Sequence, residues 1–153
     1  MYEGKDEHNF FGTHAMRAEE LKDLGFFERL IDILAVAPIV GFEYNRRSEK
    51  NNQDGAEKGI FRAQLAKVDN QLELDYKTIM LLDKQHTPDE AERFRKAFQT
   101  APDQRAEEDL ERFESYVRGG IDFLYEKLVG SGNTPYERMM ELYELVESFS
   151  ERY

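Results

Sequence analysis

The sequence predicts an all-α fold, a helical bundle of about six helices (four long, two short) around a central apolar helix kinked at Pro38. Three observations predict it. Residues 33–42, Ile-Leu-Ala-Val-Ala-Pro-Ile-Val-Gly-Phe, are apolar all round, and a helix of that kind must be wrapped by others. From residue 56 onward, apolar side chains recur three and four apart over long stretches. Thr-Pro helix starts recur as well: Thr87-Pro-Asp-Glu90 and Thr134-Pro-Tyr-Glu137 are capping boxes with proline at the first helical position, and Thr100-Ala-Pro-Asp103 is a weaker version. No stretch shows a sustained strand alternation.

The elements follow in order. Residues 1–15 read as irregular, with Phe10 and Phe11 able to plug one end of the bundle. A short first helix spans 17–24 and stops at Gly25. The second, 26–47, holds the central run; Pro38 lacks an N–H and clashes one turn back, so it should bend the helix. The polar segment 48–55 is the longest gap and the expected mobile loop. A third helix is expected over 56–84, where Phe61, Leu65, Val68, Leu72, Tyr76, Ile79 and Leu82 form one stripe. The fourth, 88–99, should turn Ala91, Phe94, Ala97 and Phe98 inward. The fifth, 102–129, carries Leu110, Phe113, Val117, Ile121, Leu124 and Leu128, and ends at the glycines of 130–133. The sixth, 135–151, should bury Tyr136, Met139, Met140, Tyr143, Val146 and Phe149. The predicted core comprises Leu34, Val36, Ile39, Val40, Leu65, Val68, Leu72, Ile79, Val117, Ile121 and Leu124.

Gly119-Gly120 interrupts the fifth helix. Each glycine costs about 1 kcal/mol in a helix interior. Close approach of another backbone, that of the Pro38–Gly41 segment, is the expected compensation.

Length and composition fit one domain over 1–153, and 11 Phe with 8 Tyr argue against disorder. Cysteine is absent, which excludes disulfides, thiolate catalysis and Cys-ligated zinc. No signal peptide is expected, because residues 1–8 are polar and acidic. The apolar run is far shorter than the about 20 residues a bilayer demands. A soluble protein of the reducing cytoplasm, without membrane contact, is the expectation.

Chemistry-bearing motifs are absent: no Gly-x-Ser-x-Gly, no phosphate-binding loop, no dinucleotide fingerprint. Asp83-Lys-Gln-His86 resembles half of a carboxylate–histidine metal pair, but no second half exists, and His86 reads as a last-turn residue that favours the helix dipole. No catalytic residue, cofactor or metal is therefore expected.

The net charge is −11, and residues 101–153 hold 13 Asp/Glu against 6 Lys/Arg. Such a chain repels nucleic acid; plain solubility accounts for the charge, and a basic protein partner is compatible with it. Glu137, Glu141, Glu144 and Glu151 share one stripe of the sixth helix, with Glu147 beside it. Glu107, Glu111 and Glu114 form a similar row on the fifth. At the end of the central helix, Tyr44, Arg46 and Arg47 are the other candidate contact residues, although capping of the helix dipole and pairing with nearby Glu is the favoured reading of the two arginines.

The leading expectation is a non-enzymatic helical accessory or adaptor protein that binds another protein. The alternatives are an acidic inhibitor that mimics nucleic acid and blocks a nuclease or other DNA-binding enzyme, and a nucleic-acid-associated subunit using Arg46, Arg47, Arg93, Arg95 and Lys96. A homodimer is compatible with the surplus of aromatic residues.

Overall fold

The computed structural model describes residues 1–2, 7–51, 55–129 and 134–152, and within them the fold is all-α with one two-stranded sheet. Strand β1 (Glu7–Phe11) leads into helix α1 (Gly12–Asp23), then α2 (Leu30–Glu43), strand β2 (Glu57–Phe61), a single turn α3 (Arg62–Leu65), α4 (Asp69–Leu82), a short α5 (Glu90–Phe94), α6 (Glu107–Leu128) and α7 (Pro135–Ser150). The glycines of 130–133 lie outside the described residues, as does part of the 48–55 gap. Among the described residues no helix is long and apolar enough to cross a membrane.

The centre of the molecule is α2 packed along α6. Ile31, Ile33, Leu34, Ala37, Val40 and Gly41 of α2 are buried, as are Phe113, Tyr116, Val117, Ile121 and Leu124 of α6. The two backbones meet at glycine. A Cβ on Gly120 would land about 2 Å from the Ala37 carbonyl oxygen, one on Gly41 the same distance from that of Tyr116, and one on Gly119 from that of Arg46. The predicted approach of the Pro38–Gly41 segment to the Gly119-Gly120 pair is what the structure shows. Pro38 lies inside α2 and is buried. Val36 departs from the prediction: it is 41% exposed, so α2 is open to solvent on one narrow side. Ile39 and Val68 are half-buried, and the other predicted core residues are buried.

The N-terminal segment is ordered rather than irregular from residue 7. β1 pairs antiparallel with β2, Glu7 opposite Phe61 and Phe11 opposite Glu57. His8 and Phe10 point inward and Ile60 is buried beside them. This pairing breaks the predicted helix 56–84. Of its apolar stripe Leu65, Leu72, Tyr76 and Ile79 are buried and Val68 is half-buried, while Phe61 and Leu82 are exposed. Gly59 allows the strand to form, because a side chain there would press on Asn9 and Glu7 across the ladder. Helix α1 starts five residues earlier than predicted, at Gly12, whose φ of +54° is the left-handed region. The Asn51 carbonyl lies where its Cβ would be.

The remaining helices differ in their ends and faces. α2 begins at Leu30, not 26, and stops at Glu43, where Asn45 (φ 51°) reverses the chain. Asp89, not Thr87, caps α5, accepting from the Glu92 N–H at 2.8 Å. A wide π turn, Arg95–Gln99, continues it and leaves Phe94 and Phe98 outward, packed on each other, while Arg93 and Ala97 turn inward. In α7 the predicted capping box is present: Thr134 and Glu137 cap each other reciprocally. Of the six residues predicted to be buried on it, five are exposed and only Phe149 is half-buried.

Candidate functional site

α7 carries two apolar stripes. Leu142, Leu145 and Phe149 recur at three and four residues; the two leucines pack against the core, and Phe149 is half-buried. The second stripe, Tyr136, Met139, Met140, Tyr143 and Val146, holds five of the six residues predicted to be buried, Phe149 being the sixth, and it faces solvent; Tyr136 is 68%, Tyr143 59% and Val146 60% exposed. The reason lies in attachment. α7 is held near its end, where the Phe149 ring meets Tyr44 and the Arg152 guanidinium lies 4.1 Å from the centre of the Tyr44 ring and 2.9 Å from Glu43. The aliphatic stripe is enough to seat it there, and nothing among the described residues covers the aromatic and methionine stripe.

The predicted carboxylates take different places on this helix. At 100° per residue, Glu137 and Glu144 line one edge of the exposed stripe, Glu151 continues the edge, and Glu147 sits within the stripe. Glu137 also serves the cap through Thr134. Glu141 is half-buried, on the side toward the packed face.

Tyr44, Arg46 and Arg47 lie where α2 ends on α6. Tyr44 stacks on Phe123 with ring centres 4.0 Å apart. Arg46 makes a two-pronged bond to Glu126 at 2.8 and 2.9 Å, and Arg47 is exposed. The other cations of the nucleic-acid alternative are also engaged internally. Arg93 donates to the carbonyls of Leu81, Thr87 and Pro88, Arg95 pairs with Glu92, and Lys96 with Asp109 at 2.7 Å.

A polar network invisible in the sequence runs along α6. All three histidines bond to it through Nε2: His8 to Glu114 at 3.2 Å, His14 to Asp122 at 3.2 Å and His86 to Asp109 at 2.6 Å. Burial works to raise the Glu114 carboxyl, but the charge and hydrogen bond of His8, the Tyr2 hydroxyl and the charge of Arg118 outweigh it and hold it at about 2. Burial likewise opposes ionisation of Asp122, yet His14, Ser48 and Arg17 hold it at about 2. Both carboxylates are therefore pure acceptors, and Nε2 of His8 and of His14 donates to them. Asp83 is engaged elsewhere: it binds Arg112 and Tyr116 and caps the backbone N–H of Gln85 and His86. Asp83 and His86 thus do not converge as metal ligands, and no group of three His, Cys, Asp or Glu among the described residues is placed to hold an ion.

A cleft of about 820 Å³ opens between β1 and the N-terminal half of α6. Neither it nor the α7 stripe was legible as a site, because both depend on which faces the tertiary contacts leave open. No family model matches the sequence, and no curated protein or solved structure matches it at a significant level.

Proposed function

We propose that this protein is a non-enzymatic adaptor that grips a basic, amphipathic helix of a partner protein along α7. The observation that carries this reading is the exposed stripe of Tyr136, Met139, Met140, Tyr143 and Val146. Large apolar side chains contiguous on one helix face mark interaction sites, and tyrosine and methionine are the residues that interfaces favour. Helix-in-groove recognition reads such anchors at three- and four-residue spacing.

Charge selects the occupant. Glu137, Glu144 and Glu151 give the stripe an acidic edge, which complements lysine or arginine flanking the apolar face of a partner helix. A second copy of a chain with net charge −11 would bring like charges together there.

The test uses a synthetic amphipathic peptide of about 20 residues, leucine on one face and lysine on its flanks, with a glutamate-flanked peptide as control. Fluorescence anisotropy should show binding of the lysine peptide alone, weakened by rising salt. Met139→Glu with Tyr143→Glu should reduce affinity by about tenfold or more without changing helix content. Glu144→Lys with Glu151→Lys should do likewise; Glu137 is left intact because it caps the helix. Equal binding of both peptides, or binding unaffected by these variants, contradicts the reading. Concentration-dependent dimerisation abolished by Met139→Glu with Tyr143→Glu would give the stripe to a second copy instead.

A further inference from the structure

We propose a second docking site of a different kind: the cleft beside β1 takes an extended, basic segment of a partner protein as a third strand. The observation is independent of α7. Every residue of β1 lines the cleft and no residue of β2 does, so the cleft lies along the edge of β1 that faces away from its partner strand. Among the described residues the sheet has two strands, and that edge carries no third.

The ladder's parity tells which backbone groups the edge offers. Gly12 N–H donates to the Ala56 carbonyl at 2.8 Å, in step with the register of β1 and β2. In an antiparallel ladder, hydrogen-bonded and non-bonded pairs alternate. Residues 8 and 10 therefore direct N–H and C=O toward β2, and Glu7, Asn9 and Phe11 direct theirs toward the cleft. An edge of this kind is a template for strand addition, and five residues extend about 17 Å.

The opposite wall chooses the sequence of the guest. It is the first half of α6, with Glu107, Glu108 and Glu111 along it and Leu110 and Val117 between. Glu111 is paired with Arg118, whereas Glu107 and Glu108 are exposed, Glu108 with only a 4.0 Å approach from Lys96. Of the cations that line the cleft, Arg118 is held by Glu111 and the Ser48 carbonyl, and Lys50 lies 4.2 Å from the centre of the Phe11 ring. His8 and His14 also line it. They are 7% and 5% exposed, and each is bound to α6 through Nε2. The exposed carboxylates suit lysine or arginine side chains at alternate positions of an extended segment. A second copy adding its own β1 would oppose acidic wall to acidic wall.

The experiment pans a display library of linear peptides of about ten residues on the full chain, then measures amide hydrogen exchange with a selected peptide bound. Selected peptides should carry Lys or Arg at alternate positions. Exchange at the amides of Glu7, Asn9 and Phe11 should slow by about tenfold or more, while those of His8 and Phe10, already bonded to β2, stay unchanged. Asn9→Pro removes one outward N–H and spares the ladder; it should weaken binding by about tenfold. Glu107→Lys with Glu108→Lys, on the exposed start of α6, should weaken it similarly and guards against a folding defect in the proline variant. Selection of no peptide, of acidic peptides, or of peptides that bind without protecting those three amides overturns the proposal. So does concentration-dependent protection of the same amides in the free protein, which would assign the edge to a second copy.

Discussion

Helices α2 and α7 both look like core elements in sequence, yet one is sealed and the other is open. α2 meets α6 through glycine on both sides, with backbone against backbone at Gly41 and Gly120, and Gly119 admits the chain that leaves α2 at Arg46. α7 meets the rest of the chain through Leu142, Leu145, Phe149 and Arg152 and leaves its larger apolar stripe outside. The difference teaches that apolarity alone does not locate the core. Small residues that permit close approach do so better, because nothing else compensates for glycine in a helix.

The largest expected effect breaks the sealed side. Gly120→Leu forces a side chain into the Ala37 carbonyl, and even Gly120→Ala places a Cβ about 2 Å from that oxygen. Denaturant unfolding should show a loss of at least about 3 kcal/mol for the leucine variant. An alanine variant as stable as wild type would mean that the two backbones are not in contact.

Next come the fully buried aliphatics of the same interface. Leu34→Ala and Ile121→Ala should each lower stability by about 2–5 kcal/mol through the cavity they leave. Tyr143→Ser on the exposed stripe of α7 should change it by less than about 0.5 kcal/mol. Reversal of that ranking would show that α7 is seated by the opposite stripe.

Titration separates the paired carboxylates from a lone one. Asp122 is held at about 2, below its ordinary 3.8, so its stabilising contribution is present above pH 3.8 and is lost as pH falls toward 2. Asp122→Asn should cost about 2 kcal/mol at pH 7 and much less near pH 2. Asp75 of α4 is the opposite case. Burial pushes it up to about 6 against the hydrogen bond from Gln71, and its Oδ2 has no partner among the described residues. Stability is therefore lost as pH rises from 3.8 through about 6. Asp75→Asn should add about 1 kcal/mol at pH 7 and nothing near pH 3. Equal effects at both pH values would mean that the change acts through shape, not charge.

Much of the fold was legible. Thr134 and Glu137 cap α7 as their spacing implies, and Gly119-Gly120 signalled its neighbour. The strands were not legible: Glu7–Phe11 and Glu57–Phe61 are five residues each, and only their pairing makes either one a strand. Nor were the histidine contacts, whose partners lie 23 to 108 residues away. α7 misled because both of its apolar stripes have helical spacing, and the choice between them was made by where Phe149 and Arg152 find Tyr44. The cleft beside β1 follows from a strand edge, which no local pattern announces.

One measurement tests the central claim that α7 is a weakly seated helix with a face kept for a partner. It is native-state hydrogen exchange along the chain, free and with the lysine-flanked amphipathic peptide. In the free protein, α6 amides at 116–121 should exchange only through global unfolding, while α7 amides exchange through local opening at least about a hundredfold faster. The peptide should slow α7 by about tenfold and leave α6 unchanged. Protection of α7 equal to that of α6 in the free protein, with no response to the peptide, would contradict the account.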